Sequence, residues 1–136
     1  MDLKLPVSAI MTAPVECVGP QDKILVIKHL YERQRFHRHF PVTENNHLVG
    51  MVSLADYMHA IGEATLDDNE PVYSLKKVED IMSHNPVTVS KETSIAEAGE
   101  LLAKGEFSSV IVLDGDQVSG IVTATDLIRY FLKQGD

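Results

Sequence analysis

The sequence predicts an α/β (α+β) protein made of two β-α-β-β-α repeats, packed about a pseudo-twofold axis with sheets inside and helices outside. Three observations carry this. Residues 7–12, Val-Ser-Ala-Ile-Met-Thr, return as Val-Glu-Asp-Ile-Met-Ser at 78–83. Residues 50–56, Gly-Met-Val-Ser-Leu-Ala-Asp, return as Gly-Ile-Val-Thr-Ala-Thr-Asp at 120–126. Between these markers, both halves alternate Val/Ile-rich runs with helical spacing in the same order. One repeat alone leaves open an apolar face that its copy can cover.

Each element has a local cause. Residues 15–18 read as a short strand before the turn at Gly19, Pro20 and Gln21. Asp22 is placed to cap a helix whose Ile24, Ile27 and Tyr31 share one face. In the second half, Ser94 and Glu97 form a capping box ahead of the stripe Ile95, Ala98, Leu101 and Leu102. Gly105 is positioned to end that helix in the left-handed conformation. Two extended runs follow in each half. Those at 40–43 and 48–52 flank Glu44-Asn45-Asn46-His47, and those at 110–113 and 118–122 flank Asp114-Gly115-Asp116-Gln117. Asp-Gly tolerates positive φ and marks a hairpin. Near-continuous Val and Ile in these runs fit strands buried on both faces. Helical spacing resumes at 54–61 and 124–132. The first repeat is therefore 1–61, the connector 62–77 and the second repeat 78–136.

Composition narrows the function classes. Twenty acidic residues against twelve basic ones give a net charge of −8, which disfavours sequence-independent binding to nucleic acid. The charge is uneven: Arg33, Arg35 and Arg38 cluster, while Glu63, Asp67, Asp68 and Glu70 form an acidic stretch. Arg33 and Arg35 read as a solvated face near a helix C-terminus. The single cysteine, Cys17, makes no internal disulfide, and its place in a predicted strand points to packing. No segment reaches the roughly 20 apolar residues of a membrane span, and no signal peptide is evident, so a cytoplasmic protein is expected. Nucleophile elbows, P-loops and dinucleotide glycine fingerprints are lacking, so no enzymatic activity is expected. His37 and His39 share one face if extended, but Arg38 between them argues against a metal.

As an ensemble, Ile10-Met11-Thr12, Ile81-Met82-Ser83, the 37–42 segment His-Arg-His-Phe-Pro-Val and the two Gly-x-x-[Ser/Thr]-x-x-Asp elements resemble a tandem pair of CBS (cystathionine β-synthase) domains. The motifs cover nearly the whole chain in the family's order. The resemblance implies two ligand clefts between the repeats and homodimers forming a four-repeat disc. It also implies a regulatory module that senses an adenosine-containing ligand of the AMP, ADP, ATP, NAD or S-adenosylmethionine type and signals to a separate partner protein. No cofactor is required on this reading. A ligand-independent dimerisation or docking scaffold is the alternative.

The two hydroxyl-x-x-carboxylate elements admit two compatible readings. Ser53 and Thr123 as N-caps, with Asp56 and Asp126 one turn on, stabilise a helix start by ~1 kcal/mol. The same geometry offers helix N-terminal amides to a phosphate and a carboxylate to a ribose diol. The resemblance implies one cleft joining Thr123, Thr125 and Asp126 to Thr12, Pro14, Val15, His37, Arg38 and His39. It implies another joining Ser53 and Asp56 to Ser83, Pro86, Val87, Ser108 and Ser109. Local cations favour the Asp126 cleft for a phosphorylated nucleoside, because charge-assisted bonds are roughly twice as strong as neutral ones.

Overall fold

A computed structural model describes residues 1–33 and 38–134. The elements run in the order α1 (Ile24–Arg33), β1 (His39–Glu44), β2 (His47–Ser53), α2 (Leu54–Ile61), α3 (Val72–Leu75) and α4 (Val78–Ile81). They continue with β3 (Thr88–Ser90), α5 (Ile95–Ala103), β4 (Ser109–Asp114), β5 (Gln117–Thr123) and α6 (Ala124–Lys133). Contacts divide the chain into two compact units, Glu16–Asn85 and Met1–Val15 with Pro86–Asp136.

In the Glu16–Asn85 unit, β1 and β2 form an antiparallel hairpin whose two-residue loop is Asn45 and Asn46, at φ 53° and 66°. Asparagine tolerates this region better than most residues, which allows the tight reversal. Ile24 and Ile27 of α1 are buried against Phe40, Val42 and Val52, with Tyr31 half-buried at the edge of Phe40's ring. Asp22 closes the preceding turn by accepting from the Gly19 amide (2.8 Å), and the helix starts one residue later than an Asp22 cap would place it. The acidic stretch carries an element the sequence hides. Tyr73 of α3 is fully buried in this core and donates its hydroxyl to the Thr65 carbonyl (2.7 Å). Beside it, the buried ammonium of Lys28 lies over the Tyr73 ring and is shared by Asp68 and Glu32. Hydrogen bonds from Asp68 first and Glu32 second hold Lys28 charged well above the usual lysine range.

The expected strand at 15–18 shrinks to one parallel bridge, Val18 to Val42, and the second half shows why. There β3 pairs β4 in parallel, with Ile111 N donating to the Val87 carbonyl (2.9 Å) and Lys91 N to the Leu113 carbonyl (3.1 Å). Pro41 and Pro20 stand at the positions of Ile111 and Lys91. Proline has no N–H, so both rungs are lost in the first half. What survives is Val18 N to the Pro41 carbonyl (3.0 Å) and Thr43 N to the Val18 carbonyl (2.9 Å). Cys17, outside the bridge, is exposed instead of packed.

The second unit follows the expected strand–helix–strand–strand–helix order more closely. Ile95, Ala98 and Leu102 of α5 are buried with Val110, Val112 and Val122. Ser94 caps α5 by accepting from Glu97 N (3.1 Å), and Gly105 sits at φ 76° just past its end. The β4–β5 turn has Gly115 at φ 64°. Both hairpins carry the same irregularity, after Val42 and after Val112. Residues from the start of the chain complete this unit. Val7 is fully buried, Val7 N donates to the Thr93 carbonyl (2.6 Å), and Ile95 N donates to the Leu5 carbonyl (2.9 Å).

Candidate nucleotide half-sites

Each unit builds the same small constellation at a strand-to-helix junction. In the unit containing β5 and α6, Thr123 adopts extended angles and caps α6. Its hydroxyl accepts from Asp126 N (3.4 Å), and Asp126 Oδ2 accepts in return from Thr123 N (2.9 Å) and Thr123 Oγ1 (3.2 Å). Asp126 Oδ1 accepts from Thr12 Oγ1 (2.9 Å), and the carboxylate is buried. Thr12 is held there by a backbone bridge to Ile121, with N···O distances of 2.8 and 3.0 Å. That bridge needs Gly120: a Cβ there would lie 2.5 Å from the Met11 sulfur and 2.9 Å from the Thr12 carbonyl oxygen.

The Glu16–Asn85 unit repeats the design. Ser53 caps α2, accepting from Asp56 N (3.1 Å), while Asp56 Oδ2 accepts from Ser53 N (2.9 Å). Ser83 pairs with Met51 through bonds of 2.8 and 3.0 Å. A Cβ at Gly50 would meet the Met82 sulfur at 2.6 Å and the Ser83 carbonyl oxygen at 2.7 Å. The glycine of one motif and the Met-[Thr/Ser] of the other are therefore one interlocking device, used twice. Its signal was in the repeated residues, but which copies interlock was not.

The remaining expected residues fall as follows. Thr125 and Pro14 are exposed, Val15, Pro86 and Val87 are half-buried, and Ser109 is buried opposite Thr123; all belong to the unit of Asp126. His39 lies opposite Ser53, and Arg38 is exposed with its carbonyl accepting from Leu54 N (2.8 Å). His37 and Arg35 lie outside the described residues. Ser108 is exposed, in the unit of Asp126. Burial first, and the Arg38 charge second, push the His39 imidazole below its usual value against a smaller opposing pull from Asp56. His39 at neutral pH thus offers hydrogen bonding, and Arg38 is the cation beside it. No three metal-ligating side chains cluster among the described residues, and no helix among them is long and apolar enough to cross a membrane.

Comparison with known proteins places this architecture. The CBS domain family model matches twice, at residues 7–63 and 78–133. The chain is 33% identical over 131 residues to protein MJ0188 of Methanocaldococcus jannaschii, covering 93% of this chain and 44% of that one. It is 36% identical over 93 residues to the arabinose 5-phosphate isomerase KdsD of Francisella tularensis, covering 68% of this chain and 27% of that one. The chain thus spans less than half the length of these relatives. Among solved structures, CBSX2 from Arabidopsis thaliana superposes with a TM-score of 0.79 at 26% identity, covering 96% of each chain. CBSX2 has also been solved in complex with AMP, matching at 24% identity and a TM-score of 0.80 over 95% of this chain and 97% of that one. The CBS pair of protein MJ0100, solved with 5′-methylthioadenosine and S-adenosyl-L-methionine, matches at 23% identity and 0.79 over 95% and 97%. Two family matches over most of the chain, on a fold with the same two small sheets and flanking helices, make this chain a CBS domain pair, a member of the CBS domain family.

Proposed function

We propose that the protein is a regulatory, non-catalytic module that binds an adenosine-containing small molecule and reports occupancy to a separate protein. The observation that carries this is the duplicated junction. Two capped helices present an acid at the same position, each following a strand bridged by the Met-[Thr/Ser] segment of its own unit. On this reading Asp56 and Asp126 accept ribose hydroxyls, Ser53, Thr123 and Thr125 with the helix amides meet phosphate, and Arg38 supplies countercharge. Thr12, Pro14, Val15, Ser83, Pro86, Val87, His37, His39 and Ser109 contact the remainder. AMP, methylthioadenosine and S-adenosylmethionine, bound by the CBS pairs named above, define the ligand class to test, with ADP, ATP and NAD beside them. A single cysteine suits the reducing cytoplasm.

Isothermal titration with that panel tests the reading. Binding with Kd well below millimolar is expected for at least one ligand, and Asp56→Ala with Asp126→Ala together should abolish it. A panel without binding, or a double variant that binds as the parent does, overturns it.

The alternative reading, a dimerisation or docking scaffold, has its own support. On α6, Ile128, Phe131 and Leu132 are each more than half exposed. The same helix contributes Leu127 and Tyr130 to an apolar groove of about 360 Å³ that Leu3, Ile95 and Gly99 also line. Such a face on a small protein marks an interaction surface, and a homodimer is the simplest occupant.

A further inference from the structure

The two half-sites share a design but differ in what their carboxylates already hold. Asp126 receives three donors, from Thr12 Oγ1, Thr123 N and Thr123 Oγ1. An ionised carboxylate offers about four lone-pair sites, so room for roughly one more donor remains. A ribose diol brings two. Asp56 is bound at Oδ2 by Ser53 N, and no hydroxyl donates to it among the described residues of its unit. Ser83, in the place of Thr12, makes the same backbone bridge without reaching the acid. The methyl of Thr12 is the chemical difference between them. A β-branched side chain has restricted χ1, whereas serine rotates freely.

Resting on the reading of Asp56 and Asp126 as ribose acceptors, we propose that Thr12 is a latch. Its hydroxyl occupies Asp126 Oδ1 in the free protein and must leave before a ribose diol can bind there. The Asp56 half-site, whose acid receives no such hydroxyl among the described residues of its own unit, fills first. The family resemblance assigns local cations to the Asp126 cleft, which would favour the other order, but a phosphate contact does not release the carboxylate from Thr12. Thr12 therefore acts as a positioning residue for Asp126, setting the affinity difference between two otherwise similar sites.

Titration with AMP separates the cases. In an Asp56→Ala background, where Asp126 remains, Thr12→Val keeps the branch and loses the hydroxyl. It should tighten AMP binding roughly three- to tenfold, the range of one net hydrogen bond. Thr12→Ser, which places here the residue that fails to reach the acid in the other unit, should likewise tighten binding, toward the Thr12→Val value. In an Asp126→Ala background, Ser83→Thr builds the latch on the other unit and should weaken binding by a similar factor. AMP binding that is unchanged or weaker in Thr12→Val overturns the latch while leaving the nucleotide reading intact. Absence of AMP binding to the unsubstituted protein overturns ribose recognition, and the latch with it.

Discussion

At the scale of single residues, burial and charge assign the histidine beside Ser53 a definite protonation behaviour. Because His39 is held below its unfolded value of about 6.5, the unfolded chain takes up its proton first as pH falls. Its contribution to stability is therefore complete above about pH 6.5 and is lost progressively below it, through the lowered folded value. Thermal melts from pH 7.5 to 5 should show the protein losing stability faster than a His39→Gln variant. Parallel curves would show that the imidazole does not carry this dependence. Some residues were legible from sequence and others were not, for specific reasons. The acids at 56 and 126 announce themselves because a cap and a carboxylate recur at fixed spacing. The pairing of Thr12 with Asp126 came through family likeness, since 114 residues separate them and no local pattern links the two. Cys17 misled, because strand-like neighbours said nothing of the prolines that dissolve the strand.

At the scale of elements, the two halves show how proline edits a sheet without changing the repeat's plan. The strand at 15–18 was inferred from composition, while its ladder depends on amides contributed at positions 41 and 20. Both are proline, so the pairing survives at Val18 alone. The stretch 62–77 was legible as acidic and proline-containing but not as core, since one buried tyrosine among charges has no periodicity to betray it. Tyr73→Ala should cost about 3–5 kcal/mol, as for other large buried side chains. Urea unfolding followed by tryptophan-free probes, such as far-UV circular dichroism, measures it. A loss under 1 kcal/mol would mean that α3 does not contribute to the core. Lys28 is also committed to this element. Its link to Asp68 ties the acidic stretch to α1, so the charges there serve cohesion as well as solubility.

At the scale of the molecule, the apolar face of α6 and a ligand-linked equilibrium make separable predictions. Phe131→Glu with Ile128→Glu should leave the circular dichroism spectrum unchanged and convert a homodimer to monomer by sedimentation. A monomeric unsubstituted protein would remove the dimer from the proposed function. Under the proposed function, ligand at 100 times its Kd should stabilise the folded state by about 2.7 kcal/mol. Regulation of a partner is limited by the difference in that partner's affinity between occupied and empty protein.

The stitching of Val7 and Leu5 onto residues beside α5 carries a consequence for biosynthesis. A ribosome delivers residues 1–15 long before 86–134, so that segment must wait, unpaired and partly apolar, while Glu16–Asn85 already has everything it needs to collapse. The earliest native body on the nascent chain is thus the middle of the sequence. A chain truncated after residue 85 and released from the ribosome should expose its leading peptide to protease while the rest resists digestion.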